Sequence, residues 1–337
     1  MKISFFELSE NEKDIIAPFF EGMEVSFTEE KLNDSSAALY SDVEIVSVFI
    51  NSKVDQAVID AMPNLKLITT RSTGFDHIDV SYAKSKGIQI ATVSAYGSHT
   101  VAEFAFGLIL NLSRKIIMAN DYVRGSAEFR YFPTMEGFNL FGKTLGVIGT
   151  GKIGKNMVKI AKGFGMNIVA YDLYPDQAFA SENGMTYKTL QEVLKESDIV
   201  SLHTPYTKEN HHLINRENIS LFKKGAYLIN TARGELVDTD ALIYAIKEGF
   251  LSGAGIDVIE GEKDLKEEIE ILASTDRSSK VEDYKTLLED RVLLEMPNVI
   301  ITPHVAFYTK EAEDEIRNTS IENIKSFIAG NPVNLIK

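Results

Sequence analysis

The stretch KTLGVIGTGKIGKNMVKIAKGFGMNIVAYD, Lys143 to Asp172, decides the fold. Leu145 to Ile148 is a short apolar run bounded by turn residues, the mark of a buried parallel strand. Gly149, Gly151 and Gly154 follow in G-x-G-x-x-G spacing, a helical pattern continues to about Phe164, and Ile168 to Tyr171 reads as a second strand ending on Asp172. Gly149 permits the tight strand-to-helix turn, Gly151 lets the backbone approach a pyrophosphate, and Gly154 lets the helix lie close on the strand. The helix N-terminus offers its unpaired N–H groups to the anion. Asp172 stands 172 − 154 = 18 residues beyond the last glycine. That is close to the spacing of about 20 expected of a carboxylate that binds a ribose 2′-hydroxyl. A carboxylate there repels a 2′-phosphate, which favours NAD over NADP. A glycine-rich turn in another doubly wound domain would explain the glycines but leave Asp172 to chance. The order strand, glycines, helix, strand, acid therefore predicts a Rossmann-type domain.

Outward from this unit, the 337 residues suffice for two domains with separate cores. Hydrophobic residues make up 44% and charged residues 25%, as in ordinary globular proteins. The net charge of −14 argues against nucleic acid or an anionic membrane as partner, so an anionic ligand must meet local positive groups. There is no cysteine, hence neither disulfide framework nor thiolate site. The apolar run near the N-terminus is too short for a signal peptide, and Val101 to Leu112 falls short of a membrane span. A cytoplasmic enzyme is the expectation.

Before the glycine unit, Lys2 to Phe6, Glu24 to Phe27, Ile45 to Ile50, Leu65 to Thr70 and Ile88 to Thr92 read as strands. Helical patterns separate them at Asn11 to Phe19, Val54 to Met62 and Ile78 to Lys86. This is a second α/β domain with a largely parallel sheet. Thr100 is expected to cap a long apolar helix reaching about Asn120, with Glu103 completing a capping box. Its apolar faces imply burial against both domains or a second subunit. After Leu145, further strands are expected near Ile168, Ile199, Ala226, Ala254 and Val299 to Ile301. A charged insertion of helical character fills the span from Glu260 to Pro297, and a last amphipathic helix, Thr309 to Ala329, returns to the first domain.

Three motifs stand at predicted strand ends, where open parallel sheets bind ligands. LHTPYT places a proline just beyond a strand, which ends pairing and shapes a pocket wall; a plain loop fits it nearly as well. LINTARGELVD puts Arg233 just past a strand, and its planar guanidinium suits a carboxylate, although an isolated arginine is more often a surface ion pair. GAGIDVIEGE holds Asp257 and Glu262, and ITPHVAFYT holds His304. A histidine oriented by a carboxylate is the usual proton donor near neutral pH.

Taken together the chain resembles the D-isomer-specific 2-hydroxyacid dehydrogenases over nearly its whole length, with motifs most similar to the lactate branch. The carrying motifs are RSTGFDHID (71–79), AYGSHTVAE (95–103), GVIGTGKIG (146–154), LHTPYT (202–207), NTARGELVDTDAL (230–242), GIDVIEGE (255–262) and TPHVAFYT (302–309). The resemblance implies a flavodoxin-like substrate domain, residues 1–99 completed by 305–337, and a Rossmann-type NAD-binding domain, residues 100–304. It implies that Arg233 binds the substrate carboxylate and polarises the keto oxygen, that His304 is the acid/base, and that Glu262 pairs with His304. Backbone N–H groups of Thr73 and Gly74 would help hold the carboxylate, and Tyr96 and Tyr308 would line the substrate side. Lys152 and Ile153 would meet the pyrophosphate. Thr204, Pro205 and Asn210 would lie along the adenosine, Thr231 and Ala232 beneath the nicotinamide, and Asp257 at its end. The implied reaction is reversible reduction of pyruvate to D-lactate by NADH, in a homodimer.

The other histidines have plainer readings. His77 serves turn structure. His211 and His212 suggest a metal pair, but no acid or cysteine stands near them at ligand spacing, so no metal is expected. His99 departs from the lactate branch, which more often carries another polar residue beside Tyr96; it reads as a polar residue just before a helix. Phe307, Tyr308 and Tyr96 suggest a small or apolar 2-keto acid, and no added basic residue marks a phosphate pocket. The rivals are dehydrogenases of larger or other acids (2-hydroxyisocaproate, phenyllactate, hydroxypyruvate or glyoxylate) and, outside enzymes, an NAD-sensing scaffold.

Overall fold

Strands Ile45–Val48 and Leu67–Thr70 carry residues for two opposite cores, and this settles the layer structure. In a computed structural model, which describes residues 1–93, 96–262 and 281–336 (without the side chains of 281–287), strand β1 (Lys2–Phe5) lies between β2 (Glu24–Phe27) and β3 (Ile45–Val48). β4 (Leu67–Thr70) and β5 (Gln89–Thr92) continue the sheet, giving the parallel order β2-β1-β3-β4-β5. Ile45 and Leu67 enter one core with Ile3, Phe5 and Ile324, while their neighbours Val46 and Ile68 enter the other with Val58 and Ile90. Successive side chains point to opposite faces, so a sheet covered on both sides needs the near-continuous apolar strands seen here. Order 2-1-3-4-5 is the flavodoxin-like winding.

The second sheet has seven parallel strands: β6 (Thr144–Ile148), β7 (Asn167–Tyr171), β8 (Thr186–Tyr187), β9 (Ile199–Leu202), β10 (Ala226–Asn230), β11 (Leu251–Ile256) and β12 (Val299–Ile301). Their order is β12-β11-β10-β9-β6-β7-β8, the doubly wound Rossmann order extended by one strand. Ile148, Val200, Leu202 and Leu228 face one core; Leu145, Val147, Ile199 and Ile229 face the other. The winding reverses between β6 and β9, which puts the ligand-binding crevice of such a sheet beyond their C-terminal ends.

The chain divides into two compact units, Met1–Gly97 with Tyr308–Lys337, and Ser98–Phe307. The helix Lys310–Ile328, capped by Thr309, packs on β4 and β5, and Asn323 Nδ2 donates to the Thr92 carbonyl at 3.1 Å. The tail beyond it bridges the edge strand, with Leu335 opposite Ala91.

The structure departs from the sequence expectations at several elements. The apolar helix starts at Ser98, so Thr100 lies inside its first turn, and it ends at Arg114 rather than near Asn120. Lys115 takes a left-handed φ of 55° there, and a separate helix, Ile116–Ser126, follows. Ser98–Arg114 packs within its own unit, on the helix Lys152–Gly163 and on β10 and β11. Of the expected insertion, residues 263–280 lie outside the described residues, as does Ala95 of the 95–103 motif; Val281–Leu294 is helical. Among the described residues no helix is long and apolar enough to cross a membrane.

Candidate active site

Glycines fix the ends of the strands at the switch point. Gly149 follows β6 with φ 91°, and a Cβ there would lie 2.7 Å from the His203 carbonyl carbon just beyond β9. Gly154 is equally constrained, since its Cβ would stand 2.0 Å from the Gly149 carbonyl oxygen. Gly151, the N-cap of helix Lys152–Gly163, has open space where a Cβ would be, and no side chain caps that helix. Lys152 and Ile153 form its first turn beside Gly154. Uncapped N–H groups next to an empty cradle are what a pyrophosphate requires. Beyond β7, Asp172 accepts from the Thr150 N–H at 2.6 Å, the Thr150 hydroxyl at 2.8 Å and the Tyr174 N–H at 2.8 Å. The carboxylate is thereby held beside the glycine turn. Thr150, missed in the sequence reading, is its anchor and is itself 2.8 Å from the Tyr187 hydroxyl.

Further along the same sheet edge, Thr204 and Pro205 follow β9. Asn210 pins that loop, donating to the Pro205 carbonyl at 2.8 Å and accepting from the Thr207 N–H at 2.7 Å. Thr231, Ala232 and Arg233 follow β10. Buried Asn230 braces this turn, accepting from the Ala232 N–H at 3.0 Å and donating to the Arg233 carbonyl at 2.8 Å. The only sequence signal for it is an amide ending an apolar strand. The Arg233 guanidinium is half-buried and donates through Nη1 to the Ala232 carbonyl at 2.7 Å.

The acid/base candidates come from β11 and β12. His304 Nδ1 lies 3.0 Å from Glu262 Oε2, and both side chains are about three-quarters buried, at 27% and 26% exposure. His304 holds a left-handed φ of 54°, unusual for a non-glycine residue, and Asp257 sustains it. The Asp257 carboxylate, 2% exposed, accepts from the Thr302 hydroxyl at 2.5 Å and the N–H groups of Val305 and Ala306 at 3.0 and 2.9 Å. The Asp257 carbonyl accepts from the His304 N–H at 2.9 Å. Burial pushes the Asp257 carboxyl up from its ordinary value, and these donors partly offset the shift. Asp257 thus acts in this structure as the brace of the turn that presents His304.

In the first unit, the Thr73 hydroxyl donates to the Val93 carbonyl at 2.9 Å and the Gly74 carbonyl accepts from Ser72 at 2.6 Å. Tyr96 is half-buried and Tyr308 exposed. His77 Nε2 lies 3.1 Å from the Thr70 hydroxyl inside this loop. Two unsuspected residues hold the strand ends here. Buried Arg71 donates to the carbonyls of Phe6 and Glu7 at 2.7 and 2.6 Å, and desolvation lowers it to about 10. Glu7 accepts from the N–H groups of Phe49, Asn51 and Ser52.

Residues 106–306 match the family model described as D-isomer specific 2-hydroxyacid dehydrogenase, NAD binding domain. The chain belongs to the D-isomer-specific 2-hydroxyacid dehydrogenases. It is 36% identical to the D-lactate dehydrogenase of Escherichia coli K12 over 98% of each chain. It shares 36% identity with a glyoxylate reductase of Thermococcus litoralis, covering 88% of this chain and 84% of that one. Among solved structures, Aquifex aeolicus D-lactate dehydrogenase, complexed with NAD and lactic acid, superposes with a TM-score of 0.88 at 37% identity, covering 98% of this chain and 96% of that one. As a member of this dehydrogenase family the chain is an NAD-dependent oxidoreductase of 2-hydroxy acids, and the open Gly151 cradle with Asp172 beside it fits that cofactor.

Proposed function

We propose that the enzyme reduces pyruvate to D-lactate, reversibly, with Arg233, Glu262 and His304 as its catalytic residues. The observation that carries the reading is the His304–Glu262 pair at 3.0 Å, on a turn braced by Asp257. Bound NADH supplies the hydride. Reduction builds negative charge on the keto oxygen, and a fixed cation beside a proton donor stabilises it. Arginine keeps its proton at neutral pH, so Arg233 grips the carboxylate and offsets charge at the carbonyl while a second group must give the proton. With Nδ1 of His304 turned to Glu262, Nε2 is the nitrogen left for the substrate oxygen. Glu262 holds the ring in that orientation.

The remaining assignments follow the family resemblance. Thr73 and Gly74 give backbone N–H groups to the substrate carboxylate, and Tyr96 and Tyr308 set its side-chain environment. Gly149, Gly151, Lys152, Ile153 and Gly154 meet the pyrophosphate. Asp172 takes the ribose, Thr204, Pro205 and Asn210 flank the adenosine, and Thr231, Ala232 and Asp257 flank the nicotinamide. A homodimer is part of the proposal, supported by the exposed Ile116, Ile117 and Val123 on the helix Ile116–Ser126.

A glyoxylate-reducing enzyme is the second reading, favoured by the 36% identity to a protein of that name. NADH oxidation measured with pyruvate, glyoxylate, hydroxypyruvate, 2-ketoisocaproate and phenylpyruvate, with chiral analysis of the product, separates the readings. Highest kcat/KM with pyruvate and a D-lactate product is the expected result. Preference for glyoxylate or a bulky acid moves the substrate assignment, and NADH binding without turnover of any acid favours a sensing scaffold.

A further inference from the structure

His211 and His212 are consecutive, and side chains of consecutive residues in extended chain point apart. Here they converge. His212 adopts a left-handed φ of 51°, and its ring folds back onto that of His211, with centroids 3.8 Å apart and planes at 24°. Both rings then face one carboxylate that the sequence places 48 residues from His212: His212 Nε2 is 2.8 Å from Glu260 Oε2, and His211 Nε2 is 4.0 Å from Glu260 Oε1. The three ligand atoms lie within 4.8 Å of one another. The expectation that the pair lacks an acidic partner is therefore overturned, because sheet order brings Glu260 from beyond β11 to the loop after β9.

We propose that His211, His212 and Glu260 bind a divalent transition-metal ion of the zinc class, outside the reacting groups. Two imidazoles and a carboxylate are a donor set of borderline hardness, suited to such an ion and poorly suited to magnesium or calcium. Bonds of about 2.0–2.2 Å in tetrahedral array put ligand atoms about 3.3 Å apart. The two rings reach different oxygens of Glu260, at 2.8 and 4.0 Å, and the three ligand atoms lie within 4.8 Å of one another, so the side chains must turn to bring one atom from each to that spacing. The frame is held: the His212 N–H donates to the Glu235 carbonyl at 2.8 Å, and Asn215 Nδ2 donates to the His212 carbonyl at 2.9 Å. His211 Nδ1 lies 3.4 Å from the Tyr206 hydroxyl, an outer partner that directs the Nε2 lone pair toward the ion. Exposures of 44%, 31% and 26% leave an entry path and room for water as further ligand. Because Glu260 precedes Glu262 by two residues, the ion ties the segment carrying the histidine partner to the His211–His212 loop.

The test uses tag-free, chelator-stripped protein titrated calorimetrically with Zn²⁺, and with Co²⁺ followed by visible absorption. One ion per chain is expected, with Co²⁺ bands of a four- or five-coordinate site. His211→Ala and Glu260→Gln should each weaken Zn²⁺ binding at least tenfold, while His99→Ala, at another exposed histidine, should bind as the parent does. Zn²⁺ should also raise the thermal midpoint of the parent and leave that of His211→Ala unmoved. Absence of binding by the parent, or equal binding by His211→Ala, overturns the proposal. Should Glu260→Gln fail to fold, His211→Ala decides alone, since that ring is exposed and NADH turnover by the variant should match the stripped parent.

Discussion

The backbone of Gly234 runs so close to that of Ile259 that a Cβ at position 234 would stand 2.1 Å from the Ile259 carbonyl carbon. The turn carrying Arg233 and the segment leading to Glu262 are therefore packed as one piece, and the glycine is what lets them touch. Gly234→Ala should force the two apart, costing about 1–3 kcal/mol of stability. Displacing either loop by a fraction of an ångström should, if Arg233 and Glu262 act as proposed, lower kcat/KM by roughly ten- to a hundredfold. Urea denaturation and steady-state rates with pyruvate check both; a variant with parental kcat/KM would mean the contact does not position the site.

Glu262→Gln keeps the shape of the His304 partner and removes its charge. The hydrogen bond at 3.0 Å can persist, so binding should survive while proton transfer suffers. We expect kcat to fall roughly ten- to a hundredfold, with KM for pyruvate changed much less. Equal loss in kcat and gain in KM would instead indicate that Glu262 organises the binding pocket.

Asp172 is engaged by Thr150 and Tyr174, and it is the carboxylate proposed to repel a 2′-phosphate. Asp172→Ala should lower kcat/KM for NADH by about ten- to a hundredfold, the worth of one or two charge-assisted hydrogen bonds. The ratio of NADPH to NADH activity should rise. An unaltered ratio would assign cofactor choice to another residue.

These residues differ in how far the sequence exposes them. The glycine turn and Asp172 are legible because their contacts are local: one strand, one turn and one helix fix the spacing. The doubly wound order follows from the same repeating units. The His304–Glu262 pair spans 42 residues and is read only through the family's motifs, since no local rule joins them. Asp257 as a brace, Asn230 as a strut and Glu260 beside His212 are illegible in sequence, because strand order alone sets which loops become neighbours. The helix break at Lys115 is hidden for another reason: a left-handed lysine carries no glycine or proline to announce it. β8, two residues long, is too short for periodicity to register.

His203 stands where the two halves of the second sheet diverge, and it gives the fold a pH limit. The residue as a whole is half-buried, yet its ring nitrogens are enclosed: Nε2 lies 2.8 Å from the Ser201 hydroxyl, and Nδ1 has neither solvent contact nor a hydrogen-bond partner among the described residues. Enclosure penalises the charged ring and brings it down to about 3 from 6.5. The unfolded chain therefore binds a proton between these values that the folded chain refuses. Stability from this group is full above about 6.5 and is lost as pH falls toward 3, with a loss of up to about 2 kcal/mol by pH 5. His203→Gln, which cannot titrate, should flatten the fall in urea midpoint between pH 7 and 5 relative to the parent. The slope, and not the stability at pH 7, is the quantity that decides. Parallel curves for the two proteins would mean that the ring takes up its proton in the folded state without penalty.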